Sequence, residues 1–319
     1  MVDTGLSVLY NNNAIVSNIQ DGESFFAQDA NYLGTPFSYT NNDNGTISDN
    51  NTALLWEKEH HSTRLSYYDA KSICEGLELG EFDDWRSPTL KELFSLADFR
   101  GSQWREGHFY LDGTVFDIDY PDTVDDSDQF ATHTVQMMGQ TWSNTIYTGD
   151  HMNDPNIEAA FSFNFLDGHI KQAPTSQNTL FYRCVRGNGY GENELGNNAD
   201  GSVTDNAGGL IWQQADDGFA RNWQDSLAYC ENLDLAEKDD WRLLTLKSYK
   251  VLLITVAMIR LLILKYLLKL IQKVGFGLVL RMEMRLIWLV ISALENVIQK
   301  MGWIPMVLVL KEPPVKLVA

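Results

Sequence analysis

The chain has 319 residues, of which 44% are hydrophobic and 21% charged, so it is long enough for two globular domains and is neither collagen-like nor disordered throughout. Its formal net charge of −19 makes nucleic acid and anionic membrane surfaces poor partners. The charge is divided unevenly, because residues 1–245 carry −27 and residues 246–319 carry +8.

An internal repeat organises the acidic part of the chain. The sequence DNGTISDNNTALLW at residues 43–56 recurs as ADGSVTDNAGGLIW at residues 199–212, and LELGEFDDWRSPTLK at residues 77–91 recurs as LDLAEKDDWRLLTLK at residues 233–247. Both pairs are offset by 156 positions, which predicts two tandem copies of one unit. The predicted organisation is an N-terminal extension (1–30), a complete domain (31–189), a truncated second domain (190–248) and a tail that is not a native domain (249–319).

The opening of each copy predicts a hairpin, a strand and a helix. Asn44-Gly45 is a hairpin signal, because Asn and Gly accept positive φ. Residues 53–56 predict a short buried strand. Ser66 predicts the start of a helix that ends at Gly80. The residues expected on the core face of this helix are Ala70, Ile73, Cys74 and Leu77.

A second helix and a group of strands are predicted to complete the unit. Thr89 and Glu92 have the spacing of a capping box, which predicts a helix start. The residues expected to point inward from this helix are Leu90, Leu93, Leu96 and Ala97. Strands are predicted at residues 141–145, 160–165 and 180–185, with a turn at 166–169. Helices followed by strands predict an α+β fold.

The basic tail is predicted to be a misread frame. Where the first copy continues ELFSLADFR at residues 92–100, the second reads SYKVLLITV at residues 248–256. Codons for that stretch, with one base restored in front, can encode ELQSIVDYS, which recovers the capping glutamate. A native alternative is an amphipathic helix with Arg260, Lys265, Lys269 and Lys273 on a basic side. The uncharged runs of the tail are shorter than the ~20 residues of a membrane span, so no span is predicted.

The combined motifs resemble the Lcl C-terminal domain family, a bacterial family of unknown function. The residues that carry the resemblance are Cys74 and the segments 43–56, 83–93, 142–145 and 183–187. The resemblance covers residues 31–189 and the opening of the second copy. The two helices also resemble the C-type-lectin-like fold in its formylglycine-generating-enzyme form, which is a similarity of fold and not of function.

The family resemblance implies a secreted or surface-attached bacterial protein, and at least one member is an adhesin that binds sulfated glycans. We therefore expect a non-enzymatic binding module in an extracellular, cell-surface or periplasmic location, with a glycan or protein ligand and no cofactor. The acidic charge disfavours sulfated glycans for this chain. The alternatives are a metal- or cofactor-dependent enzyme on a formylglycine-generating-type fold and a purely structural surface protein. The sequence as given predicts no signal peptide, and both a leader upstream of Met1 and the oligomeric state are left open.

Candidate ligand-binding residues lie in two motifs of the first copy. Trp85 and Trp142 are candidate platforms for stacking against a sugar, and Asp83, Asp84 and Arg86 are candidate polar contacts. The structural alternatives are two core tryptophans and an internal salt bridge that holds the turn. We favour the structural alternatives.

The three cysteines are too few for a disulfide framework, and none forms a C-x-x-C pair. Cys74, on the inner face of the first helix, and Cys184, on the closing strand, are predicted to form a disulfide; the alternative is two separate buried thiols. Cys230 is the counterpart of Cys74 in the second copy.

No metal site and no catalytic site is predicted. Asp43, Asn44 and Asp49 offer oxygen ligands at short spacing, as do Asp200 and Asp205. They lack the EF-hand pattern and its distal Glu, so a plain hairpin is favoured over a calcium site. The histidines have no zinc-binding spacing, and no Ser-His-Asp or Cys-His arrangement can be assembled.

Overall fold

The computed structural model describes residues 2–32, 34–101, 109–118, 139–152, 154–215 and 217–248, together with a strand at Leu308–Leu310. The chain divides into two compact units. The first unit comprises Met1–Leu6 and Leu33–Glu192, and the second unit comprises Ser7–Tyr32 and Asn193–Ala319. The segment predicted as an N-terminal extension is therefore shared between the units, and the predicted domain boundaries themselves stay predictions.

The described elements are mostly short strands. In chain order they are β1 (Leu9–Tyr10), β2 (Ile15–Val16), a 3-10 helix (Asp29–Asn31), β3 (Tyr39–Asn41), β4 (Thr46–Asp49), β5 (Leu54–Glu57), α1 (Tyr67–Glu75), α2 (Leu90–Ser95), β6 (Gln140–Tyr147), β7 (Ala159–Asn164), β8 (Ile170–Pro174), β9 (Val185–Arg186), β10 (Leu195–Asn197), β11 (Ser202–Asp205), β12 (Leu210–Gln213), α3 (Trp223–Glu231), β13 (Trp241–Leu243) and β14 (Leu308–Leu310). Helices combined with several small antiparallel sheets confirm the α+β class.

The described part of the first unit contains two antiparallel sheets beside its helices. One has the order β3-β4-β5-β9 and the other the order β6-β7-β8. The turn between β3 and β4 contains Gly45 at φ 84°, as the Asn-Gly signal predicts, while the other positive φ, 56°, falls on Asp43 and not on Asn44; β3 and β4 pair antiparallel across it. The hairpin prediction is confirmed. The predicted closing strand at residues 180–185 is broken: Leu180 and Phe181 make isolated bridges to Leu65 and Thr141, and the strand itself, β9, covers only Val185–Arg186.

Helix α1 begins where the sequence predicts and ends earlier. The Ser66 side chain accepts a hydrogen bond from the Asp69 backbone N–H at 3.3 Å, which confirms the cap. The prediction that Gly80 ends the helix is wrong, because α1 stops at Glu75 and Gly80, at φ 62°, serves the next turn. Ile73 was also expected on the core face but is 45% exposed, because the buried stripe follows Ala70 and Cys74, four residues apart, and Ile73 lies beside it.

Helix α2 and the disulfide close the core of the first unit. Thr89 and Glu92 form the predicted capping box, and the four residues predicted to point inward are all buried. The predicted disulfide is confirmed, since Cys74 and Cys184 are bonded across a sequence separation of 110. The buried residues of the cluster around it are Tyr67, Ala70, Cys74, Trp85, Trp142, Ala160, Ala173, Leu180, Tyr182 and Cys184.

The second unit has a sheet in the order β10-β11-β12-β14-β13. Its helix α3 is capped by Asn222, whose side chain accepts from the Asp225 backbone N–H at 2.9 Å. Strand β14 pairs antiparallel with both β12 and β13. Apart from this strand, the tail from residue 249 lies outside the described residues, so the misread frame and the amphipathic-helix alternative both stay predictions.

Candidate functional site

Four of the five predicted site residues lie on the turn between α1 and α2, and Trp85 is the inward-facing part of that turn. Trp85 is buried. Its indole Nε1 donates to the carbonyl oxygens of Leu79 at 3.1 Å and Phe82 at 3.2 Å. The turn is thereby folded around the indole. This placement favours a core role for Trp85 over a stacking platform.

Arg86 holds the same turn to helix α2. Its guanidinium makes two hydrogen bonds to the Glu92 carboxylate, at 2.8 and 2.7 Å, and one to the Gly187 carbonyl oxygen at 3.2 Å. The side chain of Glu92 is 0% exposed. The Glu92 hydrogen bond raises the pKa of Arg86 above its ordinary value. A charge pair this well bonded favours the internal salt bridge over a ligand contact.

Trp142 also belongs to the interior. It is buried in strand β6, and its Nε1 donates to the Leu65 carbonyl oxygen at 2.9 Å. Its ring packs edge-on against Tyr67, with the centroids 5.7 Å apart. The structure therefore gives both tryptophans the surroundings of core residues, and ligand contact by either one stays a prediction.

The acidic residues of the turn are on the surface. Asp83 and Asp84 are both exposed. Arg186 of β9 bonds to the Asp84 carboxylate at 2.6 and 3.1 Å, and this interaction lowers the pKa of Asp84. The same guanidinium lies 3.7 Å from the centroid of the Phe82 ring, which is 39% exposed. The partly exposed Phe82 ring therefore already holds a cation, the Arg186 guanidinium, at this turn.

A groove of about 520 Å³ opens beside this turn. It is lined by Glu78, Leu79, Gly80, Glu81, Phe82 and Asp83. Gly80 is required at its base, because a Cβ atom there would lie 2.8 Å from Thr46 Cγ2. Three of the lining side chains are carboxylates, so the groove favours cationic and neutral groups over anions.

Sequence reasoning missed a second polar cluster, which lies next to the disulfide. The Glu57 carboxylate accepts from the Cys184 backbone N–H at 3.1 Å and bonds His61 Nε2 at 2.8 Å. This hydrogen bond raises the pKa of His61. Arg183 is buried, and its guanidinium donates to the carbonyl oxygens of Glu57 and Lys58, both at 2.7 Å. The i,i+4 spacing of Glu57 and His61 was the available signal, but Arg183 and Cys184 are more than a hundred positions away.

The described residues contain no group of three or more His, Cys, Asp or Glu side chains that could hold a metal ion. Asp49, one of the candidate calcium ligands, instead accepts from the backbone N–H groups of Asn51 and Thr52 and so supports a turn. Over the same part of the chain, none of the helices has the length and apolar character needed to cross a membrane.

Comparison with known proteins supports the resemblance seen in the motifs. Residues 45–186 match the family model described as the Lcl C-terminal domain. The match contains the whole turn, the groove, both helices of the first unit and the disulfide. No curated protein and no solved structure matches the chain.

Proposed function

We propose, on the premise that residues 45–186 match the Lcl C-terminal domain family, that the first unit is a non-enzymatic binding module that acts outside the cell. The ligand is a neutral glycan or a cationic protein segment, and it binds at the groove of residues 78–83. One observation carries this proposal. The groove is lined by one partly exposed aromatic side chain and three exposed carboxylates, while the residues behind it are fixed by the core.

The rigidity of the turn supports recognition at this place. Trp85 fixes the turn through two hydrogen bonds, and Arg86 ties it to the buried Glu92. A ligand that contacts Phe82 and Asp83 therefore meets side chains on a backbone that is already ordered, which reduces the entropy lost on binding. The disulfide between Cys74 and Cys184 fits the oxidising compartment that the proposal requires.

The proposal includes two statements about the folds of the two units. The first unit adopts a C-type-lectin-like arrangement, and the second unit is a truncated copy of it. Recurrent contacts at an offset of 156 positions support the second statement. The Trp241 indole donates to the carbonyl oxygens of Leu235 and Lys238, at the positions that correspond to Leu79 and Phe82 in the first unit.

An array that carries neutral glycans, sulfated glycans and lysine-rich peptides tests the proposal. The purified chain is compared with a variant that combines Glu78→Gln, Glu81→Gln and Asp83→Asn. The matched control alters the corresponding second-unit residues, with Asp234→Asn, Glu237→Gln and Asp239→Asn. We expect binding to a neutral glycan or a cationic peptide that the groove variant loses and the control retains. Binding to sulfated glycans alone, an array without any binding, or equal losses in both variants would contradict the proposal.

A further inference from the structure

The closing strand of the first unit lies in a slot between two partners. Val185 of β9 is paired with Trp56 of β5 on one side and bridges to Arg86 on the other. The bridge consists of two backbone hydrogen bonds between Val185 and Arg86, both 2.9 Å long. Cys184, the residue before Val185, bonds to Cys74, and Arg186, the residue after it, bonds to Asp84.

The second unit contains the same slot with a different strand in it. Val309 of β14 is paired with Trp212 of β12 and with Arg242 of β13, which are the counterparts of Trp56 and Arg86 at the constant offset of 156 positions. Val309 itself lies only 124 positions after Val185. A segment that is not the sequence counterpart of β9 therefore occupies the position of β9.

This strand supplies the backbone pairing of the slot, but its sequence lacks the cysteine and the arginine of β9. Leu308 stands in the register position of Cys184, and Leu310 stands in that of Arg186. The second unit nevertheless contains the counterparts of the two residues that bond to Cys184 and Arg186 in the first unit. Cys230, the counterpart of Cys74, is a buried thiol, and Asp240 is the counterpart of Asp84.

We propose that the slot between β12 and β13 is a strand-binding site whose preferred ligand is an extended Cys-Val-Arg segment of the β9 type. Such a segment adds its backbone to both neighbouring strands, as peptides do when they extend a sheet. Its cysteine faces Cys230, and its arginine pairs with Asp240. In this proposal, strand β14 occupies the site when the ligand is absent and pairs with β12 and β13 through its backbone. The proposal concerns the second unit and is independent of ligand binding at the groove of residues 78–83.

The cysteine of the ligand allows the complex to become covalent, through a disulfide with Cys230. Burial is the largest of the causes that raise the pKa of Cys230, to about 12, so the buried thiol is a poor nucleophile. When β14 leaves the slot, the Cys230 thiolate attacks the cysteine of a peptide that carries a mixed disulfide with a small thiol. The new S–S bond joins peptide and protein, and the small thiol leaves with the electron pair.

The register is tested first in the full chain by Leu308→Cys. In a glutathione redox buffer we expect a disulfide between residues 230 and 308, because position 308 occupies the place of Cys184; oxidised glutathione takes up the two electrons. The matched control is Val309→Cys, one register position away, for which peptide mapping without reduction is expected to find no such bond. A Cys230 that stays a thiol in Leu308→Cys, or that bonds equally well in the control, would overturn the proposal.

Strand binding is tested in trans with a labelled peptide of residues 180–187, LFYRCVRG, carried as a mixed disulfide. The receptor is the full chain with Val309→Pro, because proline disfavours a central strand and empties the slot. We expect peptide attachment at Cys230, and at least about tenfold less attachment with an Asp240→Asn receptor or a peptide with proline at the Val185 position. No attachment at all, or attachment that is equally strong after both changes, would refute the proposed site. The Leu308→Cys experiment is independent of whether the Val309→Pro receptor folds.

Discussion

The Trp85 turn of the first unit and the Trp241 turn of the second unit have the same indole hydrogen bonds, yet the two units differ in how they are closed. The first unit has a disulfide to its closing strand, whereas the second has the Cys230 thiol. Tyr67 of the first unit is 6% exposed, and its counterpart Trp223 is 43% exposed. Local hydrogen bonds thus produce the same turn in both units. The burial of the helix before that turn, α1 or α3, depends instead on segments that lie far along the chain.

The largest expected difference between the units comes from the disulfide. Changing both Cys74 and Cys184 to Ala is expected to destabilise the first unit by about 2–5 kcal/mol, since the bond closes a long loop. Urea unfolding followed by hydrogen exchange reports each unit separately. Cys230→Ala is the matched control, and it should leave the first-unit transition unchanged. An unaltered first-unit midpoint in the double variant would show that β9 is held without the covalent bond.

The buried ion pair should give the next largest difference. Glu92→Gln removes the carboxylate that Arg86 contacts, and we expect a loss of about 3 kcal/mol from the first unit, at the lower end for such pairs because the Arg86 side chain is 29% exposed. Ser248 occupies the corresponding position in the second unit, so Arg242→Lys should cost the second unit less than Arg86→Lys costs the first. The measurement is again the urea midpoint of each unit. Equal losses from the two lysine variants would contradict the role assigned to the carboxylate.

The features predicted correctly from the sequence depend on short spacings. The Ser66 cap, the Thr89–Glu92 capping box and the Asn44-Gly45 hairpin each depend on residues within a few positions of one another. The disulfide was also predicted, because helical spacing placed Cys74 on the inner helix face and Cys184 lay on the predicted closing strand. The predicted end of α1 failed for a physical reason: the chain leaves the helix at Gly76 and uses Gly80 in the following turn.

The candidate site was predictable only in part, because its geometry depends on contacts across the fold. The DDWR motif indicated a polar turn, and Asp83 and Asp84 are exposed on it. The contact of Arg186 with Phe82 and Asp84 joins residues about a hundred positions apart, and no local spacing indicates it. The cluster of Glu57, His61 and Cys184 is of the same kind.

The smallest effect that separates the two units is a dependence on pH. The pKa of His61 is raised in the folded state, chiefly by its hydrogen bond to Glu57. A raised folded pKa means that the stabilisation is fully present below the ordinary histidine pKa and is lost as pH rises through the folded value. Gln213 and Asp217 replace Glu57 and His61 in the second unit, which therefore lacks this contribution.

His61→Gln is expected to destabilise the first unit by on the order of 1 kcal/mol more at about pH 5.5 than at about pH 9. The reason is that the protonated imidazole gains more than the neutral ring from the Glu57 carboxylate, which is itself held by the Cys184 backbone N–H, whereas the stacking of His61 on Tyr182 is lost at both pH values. The measurement is the urea midpoint of each unit at the two pH values, with the second unit of the same molecules as the internal control. A first-unit pH dependence that survives His61→Gln unchanged would place the titrating group elsewhere, and the difference between the units would then rest on covalent closure and the buried ion pair alone.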